Sequence, residues 1–141
     1  MIRAYRQADI DKVLSIWLDA SIQAHNFIEK EFWESKVLDM REIYLPVSEI
    51  FVFEEDEIIK GFVALCGDTL AAIFVSPNEQ GKGIGKQLVD KSKEVRRNLD
   101  LTVYKENRDS IEFYKKCGFQ MIKEQIDVHT GHVEILMEFN S

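Results

Sequence analysis

Leu70-Ala71-Ala72-Ile73-Phe74-Val75-Ser76-Pro77-Asn78-Glu79-Gln80-Gly81-Lys82-Gly83-Ile84-Gly85 is the stretch whose reading decides the fold. Its first six residues are an unbroken apolar run of strand length, stopped by Pro77, which has no N–H to give a sheet ladder. After Gly85 an apolar-periodic run continues to Leu99, with Ile84, Leu88, Val95 and Leu99 at the spacing of one helix face. Between strand and helix sit Gly81, Gly83 and Gly85. A strand that passes through a glycine turn into a helix N-terminus presents free backbone N–H groups and a positive dipole end, which suits a phosphate. An ordinary flexible turn is the alternative. Gln80, Lys82 and Lys86 add donors and charge around the same helix start, and they tilt the reading toward a diphosphate site.

Two familiar phosphate loops are excluded. Gly85-Lys86 is followed by Gln87, and the leading glycine of a nucleoside-triphosphate loop would fall on Gln80. For a dinucleotide fingerprint the third glycine would fall on Lys86 when counted from Gly81, or on Leu88 when counted from Gly83.

The 141 residues suffice for a single domain, residues 1–141, with one core and a ligand cleft. With 45% hydrophobic and 30% charged residues the chain has an ordinary globular composition, and disorder is not in question. No apolar run reaches membrane-spanning length and patterned sequence begins at once, so neither a membrane span nor a signal peptide is expected. Cys66 and Cys117 lie in apolar sequence without metal-ligand spacing and read as reduced core thiols of a cytoplasmic protein. A net charge of -7 argues against nucleic-acid binding and is compatible with a cationic substrate such as an amine.

Outward from the central stretch, Ile2–Tyr5 reads as a first strand. Asp9 is placed to cap a helix with Ile10, Val13, Leu14, Trp17, Leu18 and Ser21 on one face. After Gln23-Ala24-His25-Asn26 a second helix carries Trp33, Val37, Met40 and Tyr44 in register and ends before Pro46. Ile50–Glu54, Ile58–Cys66 and Leu70–Val75 form an antiparallel meander. Leu101–Tyr104 is a further strand. Asn107 caps a helix that Gly118 closes, and Met121–Val128 and Val133–Phe139 make a final hairpin around His129-Thr130-Gly131-His132. The order predicts a mixed α/β domain rather than a regularly wound parallel sheet.

Asn107-Arg108-Asp109-Ser110-Ile111-Glu112-Phe113-Tyr114-Lys115-Lys116-Cys117-Gly118-Phe119 supplies a second anchor. Following Gln80, Gly83 and Gly85 in their Gln/Arg-x-x-Gly-x-Gly/Ala pattern, it resembles the GNAT superfamily of acetyl-CoA-dependent N-acetyltransferases, and the element order matches along the chain. The N-terminal part, with Trp17, Ser21, His25, Phe27 and Ile28, is similar to small bacterial protein-lysine and uncharacterised members. The resemblance implies a mostly antiparallel twisted sheet with a V-shaped splay between the Leu70–Val75 and Leu101–Tyr104 strands, flanked by about four helices. It implies an enzyme that moves an acetyl group from acetyl-CoA to a primary amine of a small molecule, a protein lysine or an N-terminus. The alternative is a non-catalytic acyl-CoA sensor or partner-binding module on the same fold.

The resemblance also assigns roles. The pantetheine arm would pair with backbone around Ile73, Phe74 and Val75, and the diphosphate would rest on Gly81, Lys82, Gly83, Ile84 and Gly85 with Gln80 and Lys86 beside it. Lys82 and Lys86 read equally well as solvated charges. Asn107 matches a cofactor-side position, and Tyr114 matches the tyrosine whose hydroxyl approaches the cofactor sulfur. An N–H near Phe74 or Val75 would hold the oxyanion at a bulge in the strand. His25, in the interhelical connection, is the candidate base or else a loop-holding histidine; Glu29, Glu31 and Tyr104 are lesser candidates. Leu70–Val75 has no acidic residue, where some members keep their base. His129 and His132 alone do not make a metal site, and no metal is expected. The chain is expected to act as a monomer or as a homodimer through the edge of its terminal hairpin.

Overall fold

The computed structural model describes residues 1–141 around a seven-stranded sheet of order β1-β2-β3-β4-β5-β7-β6. In chain order the elements are β1 (Ile2–Ala4), α1 (Ile10–Ala24), α2 (Lys30–Ser35), the single turn α3 (Val37–Asp39), β2 (Glu49–Glu55), β3 (Ile58–Cys66) and β4 (Thr69–Val75). Then follow α4 (Ile84–Val95), β5 (Asn98–Tyr104), α5 (Arg108–Lys116), β6 (Gln120–Ile126) and β7 (Val133–Asn140). All pairings are antiparallel except β4 with β5, as the mixed, mostly antiparallel sheet requires.

Alternation along β2 and β3 sorts their side chains into two cores. Ile50, Val52, Phe62 and Ala64 join Val13, Leu14 and Trp17 of α1 and Trp33 of α2. Phe51, Phe53, Val63 and Leu65 join Ile84, Leu88 and Val89 of α4 and Ile111 of α5. Both faces of these strands are therefore buried, which is why they read as continuous apolar runs. Gly61 lies where α4 crosses β3. A Cβ there would stand 3.0 Å from the Phe74 carbonyl oxygen and 3.2 Å from Ile84, so a larger residue would push helix and sheet apart.

The splay is the feature that makes a site. β4 and β5 pair at Thr69 and Asp100, where Thr69 Oγ1 donates to the Asp100 carboxylate at 2.7 Å and Asp100 N–H donates to Asp68 O at 3.0 Å. Beyond that clasp the two strands share no ladder pairing, and a V opens between them.

Four local expectations are corrected. Asp9 does not cap α1 with its side chain; it accepts the Arg6 N–H at 2.8 Å, closing a short 3-10 turn, and pairs with Arg3 at 2.9 Å. The second helix is not continuous. It breaks after α2, and a π-helical turn at Met40–Tyr44 adds a residue, which turns Tyr44 outward and seats Leu45 in the core instead. α4 stops at Val95 because Arg96 is extended, its guanidinium tied to Gly67 O and to Glu49, so Leu99 is buried as a strand residue of β5. Cys66 is exposed, being out of phase with buried Leu65 at the end of β3, while Cys117 is half-buried; both thiols are free.

Candidate active site

The floor of the V is β4, and its ladder phase follows from one bond. Ser76 N–H donates to Lys60 O at 2.8 Å, and the register Phe62 with Phe74 and Ala64 with Ala72 then commits Phe74 and Ala72 to β3. Antiparallel pairing alternates, so the N–H and C=O groups of Ile73 and Val75 point away from β3, into the splay. Gln80 Nε2 takes the Val75 carbonyl at 3.1 Å, tying the strand end to the glycine turn and leaving the Val75 N–H and both Ile73 groups facing the cleft. The irregularity in β4 lies at Ala71, where the register slips between Ala64 and Leu65, and not at Phe74 or Val75 as expected. Its cause is the clasp below it: Thr69 must stay in register with Cys66 while pairing Asp100, and the spare residue is taken up just above.

The glycine turn is built as a cradle. Gly81 and Gly83 have φ of 82° and 83°, a left-handed conformation that other residues adopt at a cost, and a Cβ on either would meet nothing within 4 Å. The open side of the turn is thus lined by backbone, with the first-turn N–H groups of α4 free of intrahelical partners. Gly85 is different: a Cβ there would approach Phe113 at 3.3 Å, so this glycine lets α5 close on α4. Ile84 is buried and offers only its backbone. Lys82 pairs with Glu79 at 3.0 Å and Lys86 with Asp90 at 3.0 Å, both on the surface, and of the two only Lys86 borders the cleft. An anionic, extended ligand with a diphosphate and amides fits this frame, and Gly81–Gly85, Ile73 and Val75 are the groups that would hold it.

α5 forms the opposing wall. Asn107 Oδ1 accepts the Ser110 N–H at 3.3 Å, the expected N-cap, and Gly118 closes the helix with φ of 97°. Between them Tyr114 reaches the cleft, packed against Phe113 and Phe119 with ring centroids 5.3 Å and 5.7 Å away. Burial, with a smaller effect of the Cys117 thiol, pushes the Tyr114 phenol well above its usual range, so it stays protonated at neutral pH.

The far end of the cleft is aromatic. His25 is only 8% exposed, stacked 5.0 Å from Trp33 and edge-on to Phe27 and Tyr104. Its Nδ1 lies 3.0 Å from the Ser21 carbonyl, which can only accept, so Nδ1 carries the proton and Nε2 keeps its lone pair. That lone pair faces Asn107 Nδ2 at 3.4 Å, and Asn107 thereby joins the end of α1 to the start of α5 across the cleft. Ser21 Oγ and Trp33 Nε1, both buried here, have no protein partner, so this wall keeps hydrogen-bonding capacity in reserve. Glu29 and Glu31 lie outside the cleft lining, whereas Tyr104 is part of it. Asp127 and Glu134, which no sequence pattern marked, also line it, brought in by the β6–β7 hairpin. The whole cleft measures about 1170 Å³, more than a single drug-sized ligand fills.

Burial lowers the His25 pKa, opposed only in part by its bond to Ser21. Folded His25 is therefore neutral where the unfolded residue, titrating near ~6.5, takes up a proton. The unfolded state binds more protons, so this contribution is complete above that value and is lost as the pH falls below it. Thermal melts between pH 8 and pH 5 should show a declining melting temperature that flattens in His25→Gln; parallel curves would exclude His25 as the source. The carboxylates held low by Arg3, Asp9 and Glu54, come into play only at more acidic pH.

A parallel clasp opening into a V, a glycine turn with an open backbone side at one end and a half-buried tyrosine on the facing helix make up this cleft. The chain belongs to the acetyltransferase (GNAT) domain family, whose model matches residues 46–121. It is an acyltransferase. Among its relatives is the peptidyl-lysine N-acetyltransferase YiaC of Escherichia coli (strain K12), 34% identical over 123 residues that cover 86% of this chain and 84% of the relative. The solution structure of apo-form YjaB from Escherichia coli superposes with a TM-score of 0.86 at 24% identity, covering 100% of this chain and 98% of that one. The PaiA N-acetyltransferase from Thermoplasma acidophilum, solved in complex with coenzyme A, gives a TM-score of 0.86 at 19% identity over 100% and 98% of the two chains, which speaks to the fold. No helix is long and apolar enough to cross a membrane.

Proposed function

We propose that the protein acetylates the side-chain amine of a lysine in a protein or peptide, by direct attack of the neutral amine. The observation that carries this reading is the polarity of the cleft: a backbone cradle for anions at Gly81–Gly85, and aromatic rings with carboxylates at the end bounded by His25, Tyr104 and Asp127. The relatives named as peptidyl-lysine N-acetyltransferases support lysine as the acceptor, and a net charge of -7 favours the approach of a cation.

Acetyl-CoA supplies the activated acetyl group and a thiol leaving group. The Val75 N–H, directed into the splay, is the donor for a carbonyl oxygen carrying developing charge; Phe74 N–H is committed to β3. Tyr114 holds a proton for the departing sulfur. His25, neutral and with Nε2 unprotonated, takes the proton of the amine at Nε2 once Asn107 Nδ2 gives up its contact with that nitrogen. Gln80 and Asn107 hold the turn and the two cleft walls in place.

Thiol release from acetyl-CoA tests the acceptor class with three probes: an N-terminally blocked peptide containing one lysine, a lysine-free peptide with a free N-terminus, and spermidine. The blocked lysine peptide should raise turnover at least about tenfold over the background hydrolysis. Preference for either other amine would overturn the lysine assignment and leave the transferase in place.

A further inference from the structure

Tyr104 is the last residue of β5 and stands opposite Glu134 of β7, so its side chain leaves the sheet where the β6–β7 hairpin folds over the cleft. Its hydroxyl donates to Oδ2 of Asp127. Asp127 is otherwise pinned by the hairpin: Oδ1 accepts the His129 N–H at 2.9 Å, its carbonyl accepts the Gly131 N–H at 2.7 Å, and its own N–H donates to His132 O at 2.9 Å. Partial burial works against its charge, yet the hydrogen bonds from Tyr104 and His129 outweigh it and keep the carboxyl ionised at neutral pH.

The Tyr104 ring whose hydroxyl holds this carboxylate belongs to an edge-to-face aromatic cluster lining the same cleft. Phe27 lies 5.7 Å from Tyr104 and 5.1 Å from His132, and His25 lies 5.2 Å from Tyr104. An anion held rigidly beside aromatic rings is the chemistry that recognises an ammonium group. The other carboxylates of the cleft are differently placed. Glu79 is paired with Lys82 and Lys60, Glu134 accepts from Gln125 at 2.8 Å, and Glu106 and Asp109 lie exposed at the start of α5 without such rings. Asp127 combines what the others lack: a carboxylate without a lysine or arginine partner, fixed by the Tyr104 hydroxyl and the His129 N–H at the aromatic end of the cleft.

We propose that Asp127, positioned by the Tyr104 hydroxyl, is the specificity residue that captures the acceptor's primary ammonium in the cleft. The assignment rests on the acetyltransferase reading and narrows its acceptor end. Selectivity then comes from charge, with the rings of Phe27 and Tyr104 excluding water around the bound cation, and Asp127 acts on acceptor binding more than on turnover.

Titration calorimetry of the CoA-bound protein with n-butylamine, a cation at pH 7.5, and with 1-butanol, its uncharged counterpart, reads the site without any reaction. Wild type should bind the ammonium at least about tenfold more tightly than the alcohol. Asp127→Asn should bring the two to within about twofold, and Tyr104→Phe, which keeps the ring and the fold, should remove part of the preference. CoA affinity should be unchanged in both. With the blocked lysine peptide, Asp127→Asn should raise KM about tenfold and alter kcat by less than about threefold. Ammonium preference that is absent in wild type, or that survives Asp127→Asn, overturns the proposal. Brisk lysine-peptide turnover with equal KM in both proteins does the same while leaving the lysine reading intact. A preference that follows Asp127 in a protein that ignores lysine peptides supports the ammonium site and removes lysine as the acceptor.

Discussion

Tyr114→Phe is expected to lower kcat about 100-fold while leaving the dissociation constant of acetyl-CoA within about twofold. The side chain occupies the wall of the V opposite β4, wedged by its ring between Phe113 and Phe119, and Phe keeps those contacts. What the substitution removes is one proton, held on a phenol that burial keeps from ionising. Proton transfer from a positioned side chain typically contributes between ~10² and ~10⁴ in rate. The lower end applies here, because a thiolate is a tolerable leaving group: thiols titrate near ~8.5 and alcohols far higher. The variant's deficit should therefore narrow as the pH is lowered and solvent supplies the proton more readily. Single-turnover measurements at saturating acetyl-CoA, with calorimetry alongside, separate chemistry from binding. An unchanged kcat would remove Tyr114 from the proton path and leave it a packing residue of α5.

The architecture was legible because its signals are local. The apolar run at Leu70–Val75, the glycines at 81, 83 and 85, and the Asn107–Phe119 helix each carry their own boundary chemistry, and each stands in the structure where the pattern placed it. Failures came where a tertiary partner overrode a local preference. Asp9 has the composition of a helix cap, but Arg3 lies within reach on β1 and claims its carboxylate. The pattern Trp33, Val37, Met40, Tyr44 is continuous on a 3.6-residue helix, yet the π turn before Pro46 shifts the register, a change that no hydrophobic count reveals. The cleft was legible on its cofactor side, which is made of backbone and glycine, and illegible on its acceptor side. Asp127 reaches the cleft only because β6 and β7 pair with the register Ile126 to Val133, and because Tyr104 ends β5 at the matching level. A polar residue in a hairpin loop has no sequence mark distinguishing that use from simple turn formation. The Asn107–His25 contact spans 82 positions and is likewise invisible to any local pattern.

Gly83→Val is expected to weaken acetyl-CoA binding about 100-fold in a protein that remains folded. Gly83 is the residue before α4, with φ 83° and ψ 6°, and a Cβ built on it meets no atom within 4 Å. Crowding within the protein is therefore not the problem. A β-branched residue in this region bears a backbone strain of about 1–3 kcal/mol. The chain can relieve that strain only by rotating the peptides on either side, which are the ones whose N–H groups form the cradle. A side chain that stays would instead project into the open side of the turn, where the diphosphate is proposed to lie. Both routes damage ligand binding, and neither touches Tyr114 or the aromatic end, so kcat at saturating acetyl-CoA should change far less than the affinity. Gly67 supplies the matched control, since it has φ 60° and equally open space around its Cβ but sits in the β3–β4 turn away from the cleft. Gly67→Val should show a similar loss of thermal stability, a few degrees for a chain of this size, with unchanged acetyl-CoA affinity. If the two variants instead bind acetyl-CoA alike, the strain has no bearing on the ligand and the diphosphate does not rest on Gly81–Gly85. If Gly83→Val alone loses affinity, the cradle is identified by conformation at one residue, because strain and open space are common to both sites and only the position differs.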